Sequence, residues 1–465
     1  MSERDLIING KTALGIELGS TRIKGVLIDF AGNVLAVGIH DWENSFIDNI
    51  WTYSLEEIHT GIRDCYSSLR KEVERIYGVP LQNIGSIGVS AMMHGYMALD
   101  KEGKQIAPFQ TWRNTNTQEA ADELTDLFQF NIPLRWSVAH LYQRILDQEA
   151  HVRNLDYVAT LSAYIHWKLT GERVIGIGDA AGIPLCPPEG DAGTGMTATN
   201  SVAPRTGNVS AGTSTFAMIV LEKQLSKVYR EIDMVTTPTG FPCTMSHANN
   251  GTSDLNAWVG LFGEFAELMG YNAKTGELFE KLYTNSLNGD ADCGGLLAYG
   301  YYSGENITMI NEGRLAFLRT PESSFNLANF MKAHLYTSLG AVKRGLDILM
   351  EDEKVKVERI MGHGGFFKTK GVGQRYLAAA VGAPVTVMDT ASEGGAWGIA
   401  LLAAYLIDKK DGEKLEDYLN NRIFCELSGQ TIEPYPEDKA GFDIFMERYK
   451  AGLEIEKKAI EIMNW

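Results

Sequence analysis

Three observations predict an α/β fold of two similar domains. Strand-like and helix-like segments alternate along the chain. The turns Gly19-Ser20-Thr21 and Gly212-Thr213-Ser214 each sit between apolar, strand-like runs. The chain has 465 residues, enough for two large domains at roughly 100–200 residues each. The recurring turn reads as an internal duplication, with domains over residues 1–205 and 206–465.

Residues 13–20, 23–30 and 34–39 read as three strands in an antiparallel meander, with the first glycine turn between the first two. Residues 54–77 carry a helical stripe of Ile58, Ile62, Tyr66, Leu69, Val73 and Ile76. A short strand over 84–89 follows, then helices over 117–128, 140–150 and 156–169. The pattern restarts with strands over 208–211 and 215–221, on either side of the second turn. Helices are expected over 253–270, 325–350, 372–381 and 393–406, and strands over 357–361 and 384–388. The acidic segment 409–465 reads as a solvated helical cap.

Composition narrows the function classes. Hydrophobic residues make up 45% and charged residues 22%, ordinary for a soluble globular chain. The net charge of −17 disfavours a general nucleic-acid binder, while a local site can still oppose the global sign. The five cysteines, Cys65, Cys186, Cys243, Cys293 and Cys425, form no CxxC pair, so neither a disulfide framework nor a zinc site is expected. No signal-peptide pattern and no membrane-spanning run is visible, so a cytoplasmic protein is expected.

The two turns carry the first chemical argument. Glycine beside serine or threonine offers backbone N–H groups and hydroxyls at one point, a cradle for phosphate oxygens. Glycine also removes the side chain that would hold a phosphate away. One such turn is usually a plain hairpin. Two at equivalent places in duplicated halves point to a nucleotide clamped between similar domains.

Longer motifs carry a resemblance. IELGSTRIKGVLID (16–29), SAMMHGYMALD (90–100), TWRNTNT (111–117), EGDAGTGMTATNSV (189–202), NVSAGTSTF (208–216), YYSGENI (301–307), MGHGGFFKTKGVGQRYLAAAVGAPV (361–385) and SEGGAWGIALLAAY (392–405) occur in the order found in the FGGY carbohydrate kinases. The chain resembles that family over nearly its whole length, most closely the xylulokinases. The resemblance implies two ribonuclease-H-like domains, of the actin and hexokinase kind, flanking an ATP cleft. It also implies transfer of the γ-phosphoryl of Mg·ATP to a hydroxyl of a ketopentose such as D-xylulose.

The same resemblance assigns residues. Asp191, in Gly-Asp-Ala-Gly, is the candidate general base; capping of the helix that follows is its structural alternative. Met93 and His94 are candidate sugar contacts, and Trp112 suits either stacking on a sugar or filling the core. Gly19, Ser20, Thr21 and Arg22, with Gly212, Thr213 and Ser214, are expected to hold phosphates. Gly364, Gly365 and Phe366 are expected to form the adenosine pocket. Glu17 and Asp191 are the candidate Mg²⁺ contacts, with Glu17 standing where the family usually has an aspartate.

Several departures bear on the substrate. Arg113 and Asn114 stand near a place where relatives often carry an acidic residue, and Asn306 replaces an arginine after Glu305. Between 176–182 and 189–193 the connection is only IPLCPP, where relatives carry several dozen more residues; it reads as an omitted segment rather than a deletion. Ribulose, another ketose, a polyol or an aldonate would fit the same chemistry. An ATP-driven switch on the actin-like fold is the alternative from another class. Met93, His94 and Asp191 make sense for a sugar and little sense for a switch. The expected partners are a sugar and ATP, with no nucleic acid and no membrane; a homodimer is a family-level expectation only.

Overall fold

The strand Thr12–Leu18 pairs antiparallel with Arg22–Asp29, which pairs antiparallel with Val34–Asp41. On its other side Thr12–Leu18 pairs in parallel with Ser86–Ala91, which pairs in parallel with Glu189–Gly190. The order is therefore third-second-first-fourth-fifth. These relationships come from a computed structural model that describes residues 1–176, 189–388, 394–425 and 429–463. Cys186 and the short IPLCPP junction lie outside the described residues.

A second sheet repeats the order. Thr206–Ala211 pairs antiparallel with Thr215–Val220, beside which lies Pro242–Ala248. Thr206–Ala211 also pairs in parallel with Arg359–His363, which pairs in parallel with Val385–Met388. Asp233–Thr236 and Gly429–Ile432 extend this sheet at its two edges. The meander and the duplication read from the sequence are both present.

The chain divides into two units. One comprises Met1–Ala203, Met234–Cys243 and Ser392–Leu427; the other comprises Pro204–Asp233, Thr244–Ala391 and Ser428–Trp465. A single cut at 205/206 does not describe this division, because the chain returns twice to the first unit.

In the first unit the strand Thr12–Leu18 is almost wholly buried, as expected of a sheet covered on both faces. Glycines permit the covering. A Cβ on Gly38 would lie 2.3 Å from the Cys65 carbonyl oxygen of the Leu55–Tyr77 helix. On the opposite face, Cβ atoms on Gly15 and Gly88 would meet Ala396 O at 2.1 Å and Ile399 O at 2.7 Å in the Gly394–Asp408 helix. The Leu55–Tyr77 helix opens on a capping box of Ser54 and Glu57 and closes on Gly78 at φ 65°.

In the second unit the Leu327–Asp347 helix is buried along most of its length. The Pro436–Ile462 helix packs against it, burying Phe442, Phe445, Met446, Tyr449 and Leu453. The Tyr449 ring occupies the space a Cβ on Gly340 would need, and its hydroxyl lies 2.7 Å from that of Tyr301. This corrects the expectation of a solvated cap over 409–465: the helix has a core-facing side, on which even Asp438 and Glu456 are buried, and carries its other acidic residues toward solvent. The helix expected over 156–169 is also corrected. It begins as the strand Tyr157–Ala159, paired with Met97–Leu99, and becomes helical only from Leu161.

The four described cysteines, Cys65, Cys243, Cys293 and Cys425, are free. Among the described residues no helix is long and apolar enough to cross a membrane.

Candidate active site

Asp191 is the first residue of the Asp191–Ala198 helix, directly after the fifth strand of the first sheet. The N-cap is Gly190, so the aspartate is not spent as the cap. Its Oδ1 instead accepts from the main-chain N–H of Met93 at 3.3 Å. Asp191 is open to solvent yet closely surrounded by protein. That surrounding protein pushes its pKa up to about 6, against the N–H groups of Met93 and Ala192 and the charge of Arg135.

Glu17 lies beside it, near the end of the first strand. Burial pushes its pKa up to about 7, the neighbouring Asp191 charge adds to the rise, and an N–H from Ala396 opposes it. That N–H donates to Glu17 Oε2 at 3.2 Å from the first turn of the Gly394–Asp408 helix. The approach needs glycine, because a Cβ on Gly395 would lie 2.3 Å from Glu17 Oε1. A Cβ on Gly398 would lie 2.0 Å from the Thr194 carbonyl oxygen. Among the described residues no third His, Cys, Asp or Glu joins the two carboxylates in a metal-binding group.

His94 follows Met93 with φ 64°, a conformation a non-glycine residue rarely holds without local cause. Its ring stacks on Trp136 with centroids 5.6 Å apart. Burial holds its pKa well below the usual histidine value, helped by the Arg135 charge. Gly95 follows at φ 91°, and a Cβ there would meet the Gln110 carbonyl oxygen at 2.9 Å. Met93 and His94 are thus gathered with Asp191 and Glu17 in the first unit.

Trp112 is half-buried, and its indole N–H donates to Ser20 Oγ at 3.2 Å. This places it against the first glycine turn. The Arg113 guanidinium lies over the Trp112 and Trp51 rings, 5.3 and 5.6 Å from their centroids. Asn114 clamps Trp51, its Oδ1 accepting the Trp51 N–H at 2.9 Å and its Nδ2 donating to the Trp51 carbonyl at 2.8 Å. Asn114 is therefore a structural residue.

The first turn is held from behind. Gly19 N donates to the Arg22 carbonyl at 2.9 Å, Trp42 Nε1 to the Gly19 carbonyl at 2.8 Å, and the Tyr53 hydroxyl to the Ser20 carbonyl at 2.6 Å. The Arg22 side chain pairs with Asp41 at 2.8 Å. The second turn, in the other unit, is built alike. Gly212 N donates to the Ser214 carbonyl at 2.9 Å, and Thr252 N and Gly251 N to the carbonyls of Gly212 and Thr213, each at 2.8 Å. Among the described residues the N–H groups of Ser20, Thr21, Thr213 and Ser214 find no acceptor. Both turns therefore present free donors, as an anion-binding turn must.

Gly364 has φ 101°, and a Cβ there would lie 2.5 Å from the Ala211 carbonyl oxygen. Gly365 is open, with nothing within 4 Å of a Cβ. Phe366 is buried, packed edge-on to Phe367 and against Gly373, so its ring is core rather than an open wall. Glu305 is wholly buried. Its Oε2 accepts from Asn250 N at 3.2 Å and Asn250 Nδ2 at 3.3 Å, and burial pushes its pKa up to about 7.

Sequence reasoning missed Trp136, Gln110, His140, Ala396, Trp42 and Tyr53. Trp136 and His140 are spaced i, i+4, a pattern indistinguishable from an ordinary core stripe.

A repeated sheet with a glycine–hydroxyl turn at equivalent strand ends defines a duplicated α/β class. The chain belongs to the FGGY family of carbohydrate kinases: residues 12–186 match the family's N-terminal domain and residues 207–407 its C-terminal domain. The fold is the two-domain actin- and hexokinase-like one. The xyloylose kinase of Brucella ovis is similar in fold at TM-score 0.78 and 18% identity, over 96% of this chain and 99% of that one. The gluconate kinase of Lactobacillus acidophilus is similar at TM-score 0.77 and 14% identity, over 96% and 99%. By sequence, the xylulose kinase of Lactococcus lactis is 26% identical over 121 residues, which is 24% of this chain. That match spans only 22% of the relative's own length.

Proposed function

We propose that the chain is an ATP-dependent sugar kinase that phosphorylates a hydroxyl of a ketopentose such as D-xylulose, with Asp191 as general base. The observation that carries this reading is the hold of the Met93 N–H on Asp191 Oδ1, which sets the carboxylate against the loop that carries Met93 and His94. Family membership supports the reaction class.

Phosphoryl transfer needs positioning, charge neutralisation and a group to take the hydroxyl proton. Asp191 takes that proton as the acceptor oxygen bonds to the γ-phosphorus, and the bond from phosphorus to the β–γ bridging oxygen breaks to release ADP. Met93 and His94 hold the acceptor, and Trp112 packs beside it. Residues 19–22 and 212–214 offer N–H groups and hydroxyls to phosphate oxygens. Gly364 and Gly365 give the adenosine a side-chain-free backbone, with Phe366 supporting it from within.

A carboxylate whose proton affinity is raised by burial and by a neighbouring carboxylate, as that of Glu17 is beside Asp191, suits Mg²⁺, which one or two carboxylates commonly hold together with phosphate oxygens and water. Glu17 and Asp191 would hold it. When bound it neutralises phosphate charge.

The test is coupled ADP release from Mg·ATP against ketoses, polyols and aldonates, with Asp191→Ala as control. Stimulation by one ketopentose, lost in the variant, supports the reading. Equal, sugar-independent hydrolysis by both proteins rejects the Asp191 role and favours an ATP-driven switch. Similarity in fold to a gluconate kinase makes an aldonate the second acceptor to test.

A further inference from the structure

One cation beside the first glycine turn takes no part in the reaction above. Arg113 is exposed, and among the described residues its guanidinium has neither an ion pair nor a hydrogen bond. Its N–H donors are therefore unspent. The place of the charge is nonetheless fixed. Thr111 N donates to the Trp51 carbonyl and Asn114 N to the Thr111 carbonyl, each at 3.1 Å, so the backbone is pinned on both sides of Arg113. The guanidinium lies over the rings of Trp112 and Trp51, 5.3 and 5.6 Å from their centroids. Phe46 backs Trp51 at 4.7 Å, and Trp112 rests on Ser20 Oγ through its indole N–H. An indole face attracts a guanidinium and leaves the N–H edge of the fork free for a planar or tetrahedral anion. Tyr53 borders the same charge: burial pushes its pKa up to about 12 and Arg113 opposes the rise. Both side chains that reach Ser20, Trp112 at its hydroxyl and Tyr53 at its carbonyl, are thus neighbours of Arg113.

We infer that Arg113 is a further phosphate-binding residue: held over Trp51 and Trp112, it adds a fork of N–H donors and a full positive charge to the terminal phosphate taken up at the Gly19–Arg22 turn. The inference rests on the kinase reading and names the side chain that meets the charge of the group being transferred.

The turn needs such a group. The free N–H donors of Ser20 and Thr21 can bond a phosphate oxygen but carry only partial charge. The Arg22 side chain is engaged with Asp41 at 2.8 Å. Arg113 is the neighbouring cation with its donors unspent. Charge-assisted bonds from a guanidinium to phosphate are about twice as strong as neutral ones, and the fork fits two oxygens at once. The terminal phosphate is favoured over the inner ones by position. In the kinase reading Trp112 packs beside the acceptor, and its indole touches Ser20 of the turn. The phosphate at that junction is the one next to the acceptor, and that is the one transferred.

The test measures binding of Mg·ATP and of Mg·ADP by calorimetry, without acceptor, to wild type, Arg113→Gln and Arg113→Lys. Thermal melts and the coupled ADP assay with ketoses, polyols and aldonates accompany it. In Arg113→Gln the affinity for Mg·ATP should fall about tenfold or more, and that for Mg·ADP by less than about twofold. In the assay kcat should fall about 10–100-fold, with the KM for a neutral sugar little changed. Arg113→Lys should recover part of the loss, because it keeps the charge without the fork. Tm should hardly move, since the side chain is exposed. An unchanged Mg·ATP affinity with a lowered Tm makes Arg113 a pin for the Ser45–Thr52 hairpin and overturns the inference. Equal weakening of ATP and ADP overturns it as well, because the charge then lies away from the terminal phosphate. So does a rise in KM confined to gluconate, which moves the cation to an acceptor carboxylate. These three results leave the kinase reading standing. Loss of the ATP-over-ADP preference in Arg113→Gln, with no acceptor stimulating ADP release, removes the acceptor from that reading and keeps Arg113 at the phosphate. If wild type binds neither nucleotide, both fall.

Discussion

The main-chain N–H of Met93 donates to Oδ1 of Asp191 across 3.3 Å, tying the loop after the fourth strand to the helix that begins after the fifth. The bond fixes the carboxylate against that loop. Asp191→Asn keeps the size and an acceptor for Met93 while removing the base. A positioned base contributes about 10²–10⁴-fold. We expect kcat to fall by about that factor, with Tm changed little because the residue is open to solvent. Steady-state rates beside a thermal melt check this. A large loss of Tm would make the aspartate structural.

The Gly394–Asp408 helix lies so close to its neighbours that Gly398 has no room for a methyl group, the obstruction being the backbone oxygen of Thr194 at 2.0 Å. Backbone cannot swing away as a side chain does, so Gly398→Ala must shift the helix. Overpacking of this kind costs about 1–3 kcal/mol. Because the same helix gives its Ala396 N–H to Glu17, activity should fall along with stability. Gly260 supplies the contrast: it lies inside the exposed face of the Ser253–Leu268 helix, with nothing within 4 Å of a Cβ. There alanine should stabilise by about 0.5–1 kcal/mol. Denaturant midpoints of the two variants should move in opposite directions.

The legible parts of this molecule are those whose physics is local. Gly19-Ser20-Thr21 and Gly212-Thr213-Ser214 announce themselves because a hairpin turn needs glycine and hydroxyls in a few consecutive positions. The meander of the first three strands follows from short apolar runs with turns between them. The obscure parts depend on contacts between distant segments. Trp136 and His140 look like core residues until His94, a loop residue more than forty positions earlier, is seen stacked on the indole. Ala396 has no side-chain chemistry, and its contribution is one N–H set by helix placement. The Pro436–Ile462 helix is instructive in another way. Phe442, Phe445, Met446, Tyr449 and Leu453 recur at three- and four-residue steps, a readable signal that the many acidic residues of that stretch obscured.

Glu305 sets a pH dependence of stability. In the folded protein burial holds its proton up to about pH 7, whereas an unfolded glutamate releases it near its ordinary 4.5. Between these values the folded state binds more protons than the unfolded state, so stability falls as pH rises. The cost is absent below the unfolded value and complete above the folded one, on the order of 3 kcal/mol. Glu305→Gln keeps an acceptor for Asn250 and removes the ionisation. It should resemble wild type in Tm at pH 4.5 and exceed it at pH 8. Parallel Tm profiles for the two proteins between these pH values would show that Glu305 does not carry the effect.

Tyr53 tests the first glycine turn without touching it. Its hydroxyl donates to the Ser20 carbonyl at 2.6 Å, and its ring stacks on Trp42 at 4.2 Å, which in turn holds the Gly19 carbonyl. Tyr53→Phe preserves the stack and deletes one hydrogen bond, a change worth about 1 kcal/mol. If residues 19–22 bind phosphate, the loosened turn should raise the KM for ATP severalfold. The KM for the sugar should move less, because the buried atoms around His94 are untouched. Trp112 sharpens the comparison, since its indole N–H rests on the Ser20 hydroxyl and joins the same turn to a candidate sugar contact. A Tyr53→Phe protein with an altered sugar KM and an unaltered ATP KM would move the turn from phosphate binding to acceptor binding. A change in neither, with Tm lowered, would reduce it to a hairpin.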